Sequence, residues 1–104
     1  MNYSVLLTFN IEDVSPQVRK MFFEELKEIG LCRYFRDRLL PNTTVYGVKD
    51  IEKLTITSAQ DYVNDEIELI INKISKKVEK KLKKKFSYVF QIGAQSNCTM
   101  IGYF

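Results

Sequence analysis

NYSVLLTFNI, residues 2–11, decides the fold. Tyr3, Val5, Leu7 and Phe9 fall on one side of an extended chain, with Ser4, Leu6, Thr8 and Asn10 on the other. Side chains alternate faces along a strand, so this period-two run, rich in aromatic and branched residues, predicts a strand with one face in the core. The next stretch changes period. In VSPQVRKMFFEELKEIGL, residues 14–31, Val18, Phe22, Leu26 and Ile29 recur at helical spacing, with Met21 on the flank. Ser15 is placed to cap this helix and Pro16 to occupy its first position. Gly30 supplies the stop, because it tolerates the left-handed turn that ends many helices.

Three short segments follow. TTVYGVK (43–49) reads as a strand, and CRYFRDRLL (32–40) and KLTITS (53–58) are strand candidates on either side of it. Turn chemistry falls between them at Pro41-Asn42 and at Lys49 to Glu52. Two of the three are expected to pair antiparallel, leaving the other as an edge or a loop. Ser58 is then expected to cap a long helix, with Asp61 three residues on in a capping-box position. From Ala59 to about Lys84, Val63, Ile67, Ile70, Ile71, Ile74, Val78 and Leu82 fall within an arc of about 120°. FSYVFQIG (86–93) alternates again, and after GAQSN the chain closes on CTMIGYF (98–104), which reads as an extra C-terminal strand.

The order is β-α-β-β-α-β, with that terminal strand added. Two helices on one face of an antiparallel sheet make an α+β, ferredoxin-like arrangement. At 104 residues, 45% hydrophobic and 28% charged, the chain suits a single globular domain over residues 1–104. No apolar run approaches the roughly 20 residues of a membrane helix. The opening residues lack the basic leader and cleavage site of a signal peptide, so the expected location is the cytoplasm, with no membrane partner.

Composition also narrows the chemistry. The chain has no histidine, which removes Ser-His-Asp, Cys-His and histidine acid–base mechanisms together. Cys32 and Cys98 are far apart and too few for a closed zinc site, and they read as reduced, mostly buried thiols. No metal and no cofactor are expected.

Charge is distributed unevenly. Eight lysines and one acid lie between Lys73 and Lys85, giving that segment +7 in a chain of net charge +3, so the remainder stands at −4. On the long helix Lys73, Lys76, Lys80 and Lys83 project within a band of about 80° opposite the apolar stripe, with Lys77 and Lys84 beside it. Acids early and lysines late suit the helix dipole, so a solvated face explains much of the pattern. Yet lysines three and four residues apart repel one another, and a purely solubilising face usually mixes signs. These six lysines are therefore the candidate nucleic-acid-binding residues. An RNA-recognition motif is set aside. The aromatic sides of the first and last long strands, Tyr3/Phe9 and Phe86/Tyr88/Phe90, are also their apolar sides and belong under the helices.

YSVLLTFN, the helix ending in LKEIGL, and LPNTTVYG together resemble the small Cas-type adaptation nucleases of CRISPR systems. They also resemble relatives among toxin–antitoxin proteins, including the VapD and GhoS endoribonucleases. The resemblance covers the first half of the chain and implies a homodimer and, in several members, cleavage of RNA or DNA. Metal-dependent members carry an aspartate where this chain ends its first strand with Asn10, a poorer Mg²⁺ ligand; Glu12 and Asp13 follow in a loop. Arg19, Arg33 and Arg36 are what the chain offers a metal-independent endoribonuclease. The expectation is a nucleic-acid-binding homodimer, RNA before DNA, related to these proteins and with catalytic power in question. The alternative is a protein–protein regulatory module, an antitoxin or inhibitor, acting by sheet-edge pairing. CTMIGYF, without a charge to guard its edge, is the expected contributor to the dimer.

Overall fold

The computed structural model describes residues 2–12, 14–35, 37–41, 43–52, 55–78 and 86–94. Its elements are β1 (Asn2–Ile11), α1 (Pro16–Glu28), β2 (Tyr34–Phe35), β3 (Arg38–Leu39), β4 (Thr44–Asp50), α2 (Ile56–Val78) and β5 (Phe86–Ala94). The fold is α+β. A three-stranded antiparallel sheet has the order β4-β1-β5, and β2 and β3 form a separate two-stranded ribbon.

β1 is central because its alternation serves a buried face along its whole length. Tyr3, Val5, Leu7, Phe9 and Ile11 are all buried. They share one core with Val18, Phe22 and Leu26 of α1 and with Ala59, Val63, Ile67, Ile70, Ile71 and Ile74 of α2. Both helices therefore cover the same face of the sheet. At the end where β1 leaves and β5 enters, Phe9 and Phe22 each stack on Phe86, with ring centroids 5.4 and 4.9 Å apart. Offset aromatic contacts of this kind add specificity to the burial of large apolar surface.

The ends of α1 follow the sequence expectation. The Val18 amide donates to the Ser15 side chain at 3.3 Å, and Pro16 opens the helix. At the other end, Gly30 N–H donates to the Lys27 carbonyl and Leu31 N–H to the Leu26 carbonyl. That Schellman pattern needs a left-handed residue, and Gly30 has φ +91°. β4 runs so close to this corner that a Cβ on Gly47 would sit 1.9 Å from the Gly30 carbonyl oxygen.

Two middle-segment expectations need correction. KLTITS contributes no described strand: Lys53 and Leu54 lie outside the described residues, Thr55 is a bend, and Ile56 already begins α2. The cap is accordingly Thr55 rather than Ser58. The Ser58 amide donates to Thr55 Oγ1 at 3.1 Å, and the Thr55 hydroxyl donates to Ser58 Oγ at 2.9 Å. A side-chain oxygen accepting from the third helical amide satisfies one of the donors left free at a helix start. CRYFRDRLL is not one strand either. Among the described residues its backbone pairs with β4 at one antiparallel bridge, Cys32 with Tyr46, and the segment then turns on itself as the β2–β3 ribbon. Asp37, with φ 64°, takes the left-handed turn position that aspartate tolerates better than most residues. The terminal CTMIGYF segment lies outside the described residues.

The face turned away from the helices is mixed. Register places Ser4, Leu6 and Thr8 of β1 beside Val48, Tyr46 and Thr44 of β4, and Leu6 and Thr8 beside Gln91 and Val89 of β5. Ser4, read from the sequence as simply outward-facing, is buried, and its hydroxyl shares a 3.1 Å hydrogen bond with the Tyr46 hydroxyl. Val89 stands 66% exposed on the same face.

Candidate nucleic-acid interface

The lysines singled out in the sequence belong to the second half of α2 and the residues after it. Lys73, Lys76 and Lys77 are exposed on α2, whereas Lys80, Lys83 and Lys84 lie outside the described residues. Lys73 differs from the other two. Its ammonium donates to Glu25 Oε2 of α1 at 3.0 Å and ties the two helices together. Such an exposed pair contributes little to stability, about 0–1 kcal/mol, but it occupies the charge. Lys76 and Lys77 form the last basic turn of α2, where the helix dipole favours cations.

A second basic surface lies on α1 and was not assembled by sequence reasoning. The helix presents Arg19, Lys20, Phe23 and Lys27 along one stripe, at the three- and four-residue spacings of a single face. The segment after Gly30 folds back beside that stripe and brings Arg33 and Tyr34 to it. Between them is a cleft of about 490 Å³, within the usual size range of small-ligand sites. Its ionic groups are four cations against one carboxylate, Glu24, and Pro16, Phe23, Cys32 and Tyr34 complete its lining.

The Arg33 guanidinium is held over the Phe23 ring, with Cζ 4.4 Å from the centroid. A cation over an aromatic face is attracted by the ring quadrupole, by about 0.5–2 kcal/mol according to solvation. Phe23 is itself fixed against Phe9 of β1, with centroids 5.4 Å apart. Nε of Arg33 is buried and meets no hydrogen-bond acceptor. Cys32 lines the same cleft and is half-buried, with a free thiol. Two backbone bonds with Tyr46, of 2.8 and 2.7 Å, set its position.

The other candidates stay apart from this cleft. Asn10 is exposed at the end of β1, opposite Ser87 of β5, and Glu12 is exposed just beyond. Asp13, Arg36 and Cys98 lie outside the described residues. Among the described residues no three His, Cys, Asp or Glu side chains gather as a metal site, and no helix is long and apolar enough to cross a membrane. Tyr46 is an aromatic residue on the open face of the sheet, beside Leu6. Its ring already receives Phe35 edge-on, with centroids 4.7 Å apart, and its hydroxyl is engaged by Ser4.

Of the three arginines considered for catalysis, the fold joins Arg19 and Arg33 across one cleft. Their 14-residue separation hides that meeting in the sequence. The chain matches no protein-family model, no curated protein and no solved structure.

Proposed function

We propose that the protein binds nucleic acid, RNA in preference to DNA, through the lysine-rich end of α2, and that it works as a homodimer of ferredoxin-like chains. The observation that carries this reading is segregated charge. α2 places Asp61, Asp65, Glu66 and Glu68 in its first thirteen residues and Lys76 and Lys77, both exposed, in its last turn. The sequence then adds five more lysines and one glutamate before Phe86. Like charges this close repel one another in the free protein, and a polyphosphate backbone relieves that repulsion while releasing its own counterions. The β4-β1-β5 order, with both helices on one face, supports the ferredoxin-like assignment. The resemblance to small endoribonucleases and antitoxins fits the same reading, with metal-independent cleavage as its catalytic form.

Replacing Lys76, Lys80 and Lys83 by glutamine tests it. Affinity for single-stranded RNA should fall across sequences, and the dependence of log affinity on log salt should flatten by about 0.7 for each phosphate no longer neutralised. An unchanged slope would reduce the tract to a solvated face.

A second reading, a regulatory module that pairs with another protein along a sheet edge, has one observation in its favour. Among the described residues β5 pairs with β1 alone, and its Val89 is exposed. Such a module would show no salt-dependent RNA binding. Light scattering separates a dimer from a single chain under either reading.

A further inference from the structure

We infer that the cleft between α1 and residues 32–34 is a binding site for one nucleotide, its phosphate held by arginine and lysine and its base stacked on the aromatic wall. The site shares no residue with the α2 lysines, so it stands or falls separately from them.

The cleft supplies both kinds of contact that a nucleotide needs, of which an inorganic anion uses only the first. Arg19, Lys20, Lys27 and Arg33 outnumber the single carboxylate Glu24, which sets a positive potential. Two of the four are arginines, whose forked guanidinium pairs with phosphate oxygens in a bidentate way. The remaining lining is unusual for a simple anion site. Phe23 lines the cleft with Arg33 over its ring, and Tyr34 is 59% exposed. A planar guanidinium and a tyrosine ring are the two surfaces on which single-stranded bases commonly stack.

The state of Arg33 adds a third observation. Its Cζ lies 4.4 Å from the centroid of the Phe23 ring, so the side chain is already held at the cleft, and its buried Nε–H meets no acceptor. A buried charged donor without an acceptor is unfavourable, so this position of Arg33 is free to give way to one in which the guanidinium pairs with a phosphate. Because Phe23 already keeps the side chain beside the cleft, less freedom is lost when it does so. A free nucleoside monophosphate and the terminal or flipped-out nucleotide of an RNA strand share this chemistry.

Calorimetric titration of the full chain with adenosine and uridine monophosphates, with inorganic phosphate, and with a short 5′-phosphorylated single-stranded RNA tests the site. The monophosphates should bind more tightly than inorganic phosphate. Arg33→Gln should weaken them by about tenfold or more, the expected effect of removing a charge-assisted hydrogen bond. Arg19→Gln, on the exposed face of α1, should weaken them too and guards against a folding defect in the Arg33 variant. Tyr34→Leu should lower affinity for the monophosphates and leave inorganic phosphate unchanged. Binding of the RNA without the free monophosphates, abolished in the same variants, would also support the site and name a strand as its source. Lys76, Lys80 and Lys83 to glutamine should leave monophosphate binding intact. Absence of binding by both nucleotide and strand, or equal binding by wild type, Arg19→Gln and Arg33→Gln, would overturn the proposal.

Discussion

The ammonium of Lys49 lies 2.8 Å from Oε1 of Glu66, and the two side chains are only 10% and 21% exposed. Lys49 is on the helix-facing side of β4, opposite Tyr3, and it also donates to the carbonyl of Ile29 at the end of α1. One cation thus joins β4, the exit of α1 and the middle of α2. The approach to Glu66 is a close charge pair rather than an aligned hydrogen bond. A pair this buried contributes less by its attraction than it would cost if one partner were removed.

Lys49→Met should therefore destabilise the fold by about 3–5 kcal/mol, because it strands the Glu66 carboxylate and the Ile29 carbonyl. Lys49→Met combined with Glu66→Leu should recover part of that stability. Urea denaturation of the two single variants and the double variant measures the coupling. Strictly additive effects would show that the pair does not act as a unit.

Gly47→Ala should be among the most damaging single-methyl changes in the chain. The new Cβ meets backbone, the Gly30 carbonyl at 1.9 Å, and no rotamer change relieves it. Destabilisation by about 2–3 kcal/mol or more is expected, read from the melting or denaturant midpoint. Gly30→Ala has open space around it, and its cost should come from backbone strain alone, about 1–2 kcal/mol. Gly30→Asn should cost less than Gly30→Ala.

Thr55→Ala should cost about 0.5–2 kcal/mol, the usual range for removing an N-cap side chain. Ser58→Ala should cost less, since its amide keeps the Thr55 acceptor. The reverse ranking would return the start of α2 to Ser58. Chemical denaturation of the two variants settles the order.

Tyr88 responds to pH. Burial, with a smaller contribution from the nearby Glu68 charge, holds its phenol above the ordinary tyrosine value of about 10. Its hydroxyl donates to Asn64 of α2, a bond that requires the proton. Below the unfolded value both states keep that proton, and the contribution is fully present. As pH rises through the folded value the unfolded chain has already ionised, so stability declines. Tyr88→Phe should flatten this alkaline decline, and should remove from the tyrosinate absorbance a group that titrates above the ordinary tyrosine value.

Much of the architecture is written in the order of residues, though unevenly. Tyr3 to Phe9 and Val18 to Leu26 keep a single period over their full length, so one face of each could be assigned to the core. Thr55, Ile56 and Thr57 have the branched side chains of a strand, yet they open α2. The Thr55 cap and the apolar stripe that follows outweigh local propensity there. Arg38 and Leu39 pair back onto Phe35 and Tyr34 through a turn at Asp37, which no periodic signal announces. The cleft was hidden for another reason. Arg33 acquires its meaning from Phe23, ten residues earlier on another element, and neither residue carries a motif.

The bridge between Cys32 and Tyr46 has a consequence for motion. Residues 31–40 are anchored by Leu31 and Leu40, both buried, while the β2–β3 ribbon between them pairs mostly with itself. Short, exposed pairing of this kind opens locally at a fraction of the free energy needed to unfold the molecule. The Leu39 side of that loop is expected to open before the sheet in which β1 holds β4 and β5. Hydrogen exchange would then record two clocks in one small protein. The Tyr34 and Leu39 amides would run on the fast one, and those of Val5 and Leu7 on the slow one set by global unfolding.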